Sequence, residues 1–356
     1  MVGAVAVCAG SVQRPVRLAV IGCGTHSVTS LQPCIPLIPA FEYVAAYDRH
    51  PERAALGLRF GARRWYQDVG RMFADEAIDA AIVAGPAPMN HEMGLACAAA
   101  GVHLFVEKPM APTVEGARQL ADAIRARGRV GMVGTMWRHA PAIGVQKKLV
   151  ESPAFGRAVA FHGTHLAPGE FATGPGGEGG GSLGWRFMLD QGCHMADCMR
   201  FLMGPVRWVT AATSTTSTRR DQFGLSALLV FAGGATGTLL FASHASVMSP
   251  SVTVVGEAGQ AVTVRHLISL ERSPLPDELG DPALRARVTQ IWAHGANYRG
   301  VSRPGHLEAL EHFAHAINTG TAPAPSLDDG WRALRLCQAM LESAESGRSV
   351  RLASGE

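Results

Sequence analysis

The stretch VRLAVIGCG, residues 16–24, decides how the rest of the chain is read. Residues 16–21 form a short β-branched run, and Gly22-Cys23-Gly24 follows at once. That order predicts a strand running into a tight turn. A dinucleotide site needs this arrangement. The first glycine makes the turn, and the second lets the pyrophosphate approach the backbone. Thr25 and His26 then open a helix whose N-terminus faces the phosphate. A plain turn would explain the glycines alone, so the reading depends on what surrounds them.

A second apolar run, 41–47, ends at Asp48, 24 residues after Gly24. A carboxylate at that point can take the adenosine ribose hydroxyls and repel a 2′-phosphate, which favours NAD. Arg49 beside it could pair such a phosphate, so NADP stays open. Pro33, Pro36 and Pro39 crowd the first helix and predict that it is short or broken. Further apolar strands are expected at 80–84, 102–106 and 129–133. Helices are expected at 92–100 and 114–127, the latter with Thr113 as cap and Gly128 past its end. Near-continuous apolar strands alternating with helices predict a doubly wound parallel sheet.

Beyond about residue 141 the texture changes. Strands are expected at 159–165, 207–213, 226–231, 236–243, 252–255 and 261–264, with hairpin turns at Gly233-Gly234 and Glu257-Ala258-Gly259. Helices at 306–318 and 330–346 are followed by Gly320 and Gly347. The expected fold is an α/β Rossmann domain at 15–138, after an extension at 1–14, and an α+β domain at 139–356. TGPGGEGGGS at 173–182 reads as a mobile loop.

Composition excludes several classes. A chain of 356 residues is long enough for two domains. It is 47% hydrophobic and 17% charged, with a net charge of +3. No basic block offers a track for nucleic acid. No run of about 18 uncharged apolar residues marks a membrane span, and residues 1–12 lack a signal-peptide pattern. Seven scattered cysteines with no CxxC pair read as reduced thiols, hence a cytoplasmic protein.

Two groups of residues could carry chemistry. Glu107-Lys108-Pro109 follows the strand at 102–106, and ligands bind at the carboxyl ends of such strands. An ammonium there can steady a developing alkoxide. The second group is Asp190-Gln191-Gly192-Cys193-His194-Met195-Ala196-Asp197. A helix starting at Asp190 would put Asp190, His194 and Asp197 on one face. Histidine suits the proton transfer of a secondary alcohol. A metal set of Asp190, Cys193, His194 and Cys198 matches no zinc spacing, and hydride transfer needs no metal, so none is expected.

With these residues in place, the chain resembles the glucose–fructose oxidoreductase / inositol dehydrogenase family, Gfo/Idh/MocA. VRLAVIGCG (16–24), YDRHPERA (47–54), NHEMGLACAAAGVHLFVEKP (90–109), DQGCHMADCMRFLMG (190–204), HLEALEHFAHAINTG (306–320) and LDDGWRALRLCQAMLESAESGRSVRL (327–352) carry the resemblance. It implies a second domain built on a large, mostly antiparallel open sheet, and NAD or NADP as cofactor. It implies sugar or cyclitol substrates and assembly into homodimers or homotetramers through the sheet's outer face. By position it makes Lys108, Asp190 and His194 catalytic. Gly85, Pro86, His91 and Glu107 would line the cofactor pocket. Trp137 and Arg138 would contact cofactor or substrate, and Trp185 or Arg186 the substrate. The chain departs from the family in one respect. Its glycines lie at 176–181, and residues 185–189 fill the slot before Asp190 where a glycine run is usual.

The leading expectation is a NAD-dependent dehydrogenase of a ring hydroxyl. An NADPH-dependent ketoreductase of a nucleotide-linked keto-sugar is the alternative. A non-catalytic NAD-binding regulator should have lost Lys108 or His194, and both are present.

Overall fold

The computed structural model describes residues 14–168, 181–214, 222–243, 245–273, 290–293 and 305–353. Residues 1–13 of the extension expected at 1–14, and 173–180 of the glycine-rich loop at 173–182, lie outside them.

The first domain is a six-stranded parallel sheet. Its strands are β1 (Val16–Ile21), β2 (Phe41–Tyr47), β3 (Arg64–Tyr66), β4 (Ala80–Val83), β5 (His103–Val106) and β6 (Gly131–Val133), in the order β3-β2-β1-β4-β5-β6. The order reverses between β1 and β4, and this creates the crevice where such sheets bind ligands. The helices here are α1 (Pro51–Ala54), α2 (Val69–Asp75), α3 (Ala87–Ala100) and α4 (Val114–Ala126). The Thr113 side chain accepts from the Gly116 amide, so the expected cap on α4 is formed. β3 was not foreseen, because its Arg64 and Trp65 are exposed on a short edge strand.

The apolar run at 16–21 is explained by two covered faces. Ala19 and Ile21 join one buried cluster, Leu18 and Val20 the other. The helix expected after β1 is broken, as its prolines required. A π-type turn, Ser27–Leu31, passes into a 3₁₀ segment, Gln32–Leu37, with Pro33 near its start and Pro36 inside.

The second domain holds a nine-stranded sheet, ordered β14-β13-β12-β11-β7-β10-β9-β8-β15. Its strands are β7 (Ala158–Leu166), β8 (Val206–Thr213), β9 (Gly224–Phe231), β10 (Thr236–Ala242), β11 (Ser249–Gly256), β12 (Ala261–Arg265), β13 (Ser269–Arg272), β14 (Gln290–Ala293) and β15 (Val350–Arg351). All neighbours are antiparallel except β7 and β10. Both expected hairpins are present, β9–β10 and β11–β12. One face of the sheet is covered by α5 (Pro141–Val150), α6 (Leu183–Phe187), α7 (Cys193–Met203) and the later helix α9 (Leu327–Ser346).

The C-terminal helices return to the nucleotide domain. α8 (His306–Thr319) sets Leu307, Leu310 and Phe313 against Leu31, Cys34 and Ile35 of the broken helix. α9 places Leu327 and Leu334 in the cluster on the opposite sheet face. Apolar packing from a distant segment thus holds a segment that proline keeps from being a good helix. Among the described residues no helix is long and apolar enough to cross a membrane.

Phe313 is fully buried, with its ring 5.8 Å from Phe105 and 6.4 Å from Phe41. Phe313→Ala should cost about 3–5 kcal/mol in urea unfolding. A loss below about 1 kcal/mol would contradict the role given to α8.

Candidate functional site

Gly22 stands at φ +97°, and a Cβ there would lie 2.2 Å from the Ala84 carbonyl oxygen. Only glycine fits that turn. A Cβ on Gly24 would meet nothing within 4 Å, which leaves the room a pyrophosphate needs. Asp48 is buried, with one oxygen accepting from the Cys23 amide at 2.9 Å and the other from the His50 amide at 3.0 Å. It therefore clamps the glycine turn to the end of β2, where a ribose carboxylate belongs. Arg49 is exposed and turns to the His50 ring. Thr25 and His26 form the first turn after the glycines. These residues fit a dinucleotide.

The end of β4 and the turn after β5 are joined by Asn90, which the sequence reading did not single out. It is fully buried, accepts from the Gly85 amide at 2.7 Å, and donates to the carbonyls of Glu107 and Pro109, each at 3.0 Å. A buried amide spends its donors and acceptor on backbone, so it fixes the course of both loops. Its one signal in the sequence is a place in the first turn of α3, just after Gly85-Pro86. His91, expected near the cofactor, sets Nε2 beside Gly116 at the start of α4.

Lys108 reaches across to the second domain. Its Nζ donates to Asp190 Oδ1 at 2.6 Å and to the Asp190 carbonyl at 3.2 Å. Burial works against the ammonium, but the charge of Asp190 and the neighbouring Cys193 and Glu107 hold its pKa above the usual lysine value. Asp190 is held from its other side. Gln191 Nε2 donates to Asp190 Oδ2 at 2.7 Å, and Gln191 Oε1 lies 3.0 Å from His165 Nε2. Gln191 and His165 complete a chain that the sequence did not reveal, because β7 reaches α7 only in the fold.

Asp190 sits on a π-type turn, Met188–Gly192, that runs into α7. His194 follows in α7, buried and stacked on Trp137 with ring centroids 5.3 Å apart and planes 7° from parallel. Burial, then the Lys108 charge and the neighbouring His165, hold its pKa well below the usual histidine value. It is therefore a neutral imidazole near neutral pH, fit to accept a proton. Trp137 is 2% exposed and also lies against His165, at 5.1 Å. It is the platform under His194.

Other expected neighbours are placed elsewhere. Asp197 does not share a site with His194; it takes the guanidinium of Arg138 through Nε, at 2.7 Å, and Nη2. Arg138 Nη1 also reaches Asp329 of α9 at 3.3 Å, so this arginine ties the exit of β6 to two helices of the second domain. Trp185 gives its ring N–H to the Pro112 carbonyl at 3.1 Å and packs against two core clusters. Arg186 lies half-buried in the same short helix. Burial pushes the Cys193 thiol up to about 12 and raises Cys198 further.

Comparison with known proteins agrees with this geometry. The model of the Gfo/Idh/MocA oxidoreductase family, NAD-binding Rossmann fold, matches residues 16–135, and that of its C-terminal alpha/beta domain matches residues 147–352. A levoglucosan dehydrogenase from Pseudarthrobacter phenanthrenivorans is 27% identical, covering 87% of this chain and 88% of its own. The scyllo-inositol 2-dehydrogenase (NAD(+)) of Bacillus subtilis is 24% identical, covering 96% and 97%. The solved structure of a levoglucosan dehydrogenase with NADH and L-sorbose superposes with a TM-score of 0.80 at 23% identity, covering 96% of this chain and 100% of that one. The protein is an oxidoreductase with an N-terminal NAD-binding Rossmann domain.

The site makes folding sensitive to acid. Burial lowers His165 to about 4, and likewise His139. Their ordinary value is about 6.5, so between there and about 4 the unfolded chain binds protons that the folded chain refuses. Stability is complete above the upper limit and falls as pH drops through that window, by about 1.4 kcal/mol per pH unit for each histidine. Urea unfolding across the window should show this slope, and His165→Gln should remove one histidine's share. A flat profile would contradict the burial assigned to these rings.

Proposed function

We propose that this chain, which belongs to the Gfo/Idh/MocA oxidoreductase family, oxidises a secondary ring hydroxyl of a sugar or cyclitol to a ketone with NAD. The observation that carries this is the 2.6 Å contact between Lys108 and Asp190, from opposite domains, with His194 four residues beyond Asp190, stacked on Trp137 and held neutral in part by the Lys108 charge. Bound NAD supplies the hydride acceptor. Gly22 and Gly24 admit its pyrophosphate to the first turn at Thr25 and His26, and Asp48 takes the adenosine ribose. Gly85, Pro86 and Glu107 frame the nicotinamide end.

Lys108 hydrogen-bonds the reacting oxygen and stabilises negative charge on it. Asp190 keeps that ammonium in place. His194 accepts the hydroxyl proton. Burial and the nearby ammonium keep His194 in the neutral state from which it can accept a hydroxyl proton. The juxtaposition of Lys108 with Asp190 and His194 also speaks against a regulator that only binds NAD. A carboxylate at the end of β2, as at Asp48, repels a 2′-phosphate, which supports NAD over NADP.

Relatives named for levoglucosan and scyllo-inositol point to an uncharged ring polyol. We place a second copy of the chain on the outer face of the large sheet, where Val159, Leu228 and Leu240 are 40–46% exposed. The six described cysteines are free and buried, which suits the reducing cytoplasm.

Lys108→Ala and His194→Ala should each cut turnover by roughly two to four decades while NAD still binds. Unchanged turnover in either variant would remove it from the catalytic group. In a screen of polyols and sugars followed at 340 nm, NAD should be reduced in preference to NADP. A clear NADP preference would overturn the role of Asp48.

A further inference from the structure

Three side chains to which the proposed reaction gives no proton or hydride step meet beneath the glycine turn, two of them, His26 and Glu107, beside the place given to the cofactor. His26 belongs to the first turn after Gly24, Glu107 to the turn after β5, and His306 to the start of α8. One ligand atom from each lies within 4.8 Å of the other two. His26 Nε2 and Glu107 Oε1 are 3.4 Å apart. Both atoms are buried, and neither makes a hydrogen bond. Glu107 as a whole is only 3% exposed.

The separation decides between two explanations. A charge-assisted hydrogen bond would draw the two atoms to about 2.7–2.9 Å. Two ligands about 2.05 Å from a tetrahedral zinc ion stand about 3.3 Å apart. The observed gap matches the edge of a coordination polyhedron and is longer than a charge-assisted hydrogen bond. Coordination would draw the third ligand, now within 4.8 Å of the other two, in to about 3.3 Å from each.

The surroundings hold these groups in place. A Cβ on Gly134 would lie 2.7 Å from the Glu107 carboxyl carbon, so glycine there leaves the carboxylate its space. Glu107 Oε2 accepts from the Lys108 amide at 3.0 Å, which turns Oε1 towards the histidines. Gly305, at φ +96°, sits against the Met136 carbonyl and sets the start of α8, with the His306 ring 5.5 Å from that of His26. The His26 side chain is 38% exposed, which gives an ion a way in and leaves its fourth position to water.

We infer that His26, Glu107 and His306 form a binding site for one divalent ion of the zinc class, which ties the glycine turn and the turn after β5 to the C-terminal helix α8. Two imidazoles and a carboxylate suit that ion. Its role is to hold the three segments together; it takes no step in hydride transfer. The expectation of no metal weighed only the Asp190–Cys198 stretch, because these three ligands are 81 and 199 residues apart in sequence.

The test uses the untagged full-length chain, stripped with a chelator, in the absence of NAD and substrate. Its result is therefore independent of the reaction proposed above. Cobalt(II) should bind at one equivalent with the visible d–d bands of a four- or five-coordinate ion, and zinc should displace it. Zinc should also raise the melting temperature. His306→Ala and His26→Ala should each weaken cobalt affinity at least about tenfold and abolish the zinc-induced thermal shift. If His306→Ala fails to fold, His306→Gln, which keeps most of the volume, decides the matter. Absent d–d bands, or bands and thermal shift unchanged in the folded variants, would overturn the site.

Discussion

An ammonium largely buried between two domains needs a counter-charge, and the structure is arranged around that need. Lys108 comes from the carboxyl end of a Rossmann strand, and its side chain is 17% exposed. A charge so placed is costly without a partner. Asp190 supplies the partner from the second domain, and Gln191 and His165 hold Asp190. The ion pair that completes the site thus also registers one domain against the other. Arg138 repeats the device nearby, joining the exit of β6 to Asp197 of α7 and Asp329 of α9. α8 and α9 add apolar contact on both faces of the nucleotide sheet.

The same arrangement sets the chemistry. Lys108 stays charged because Asp190 faces it, and its charge helps to keep His194 neutral. Trp137 gives the imidazole an apolar wall, which strengthens that effect. The two groups are thereby pushed into complementary states, as the proposed reaction requires: one to hold an oxygen and one to take its proton. The separation comes from burial and neighbours, since the ordinary values of lysine and histidine would leave the histidine partly charged near neutrality.

Much of this was legible in the sequence. The run at 16–24, Asp48, the Glu107-Lys108-Pro109 turn and the Asp190–His194 stretch each carry a local signal, and the resemblance singled out Lys108, Asp190 and His194. The prolines after Gly24 foretold a broken helix. What stayed hidden depends on contacts between distant segments. Asn90 works through backbone groups that no pattern announces. His165 joins the site because β7 runs beside α7. Asp197 looked like a partner for His194 by helical spacing, but a buried arginine outcompetes a histidine for a carboxylate. Short edge strands such as β3 and β15 bury too little to leave a hydrophobic period.

The central claim is that one substrate oxygen is shared by groups from both domains. A crystal structure of the protein with NAD and a poorly oxidised analogue of a polyol it turns over tests this most directly. The account predicts one ring hydroxyl within about 3.2 Å of both Lys108 Nζ and a ring nitrogen of His194. A polyol bound with its hydroxyls away from either group would contradict it.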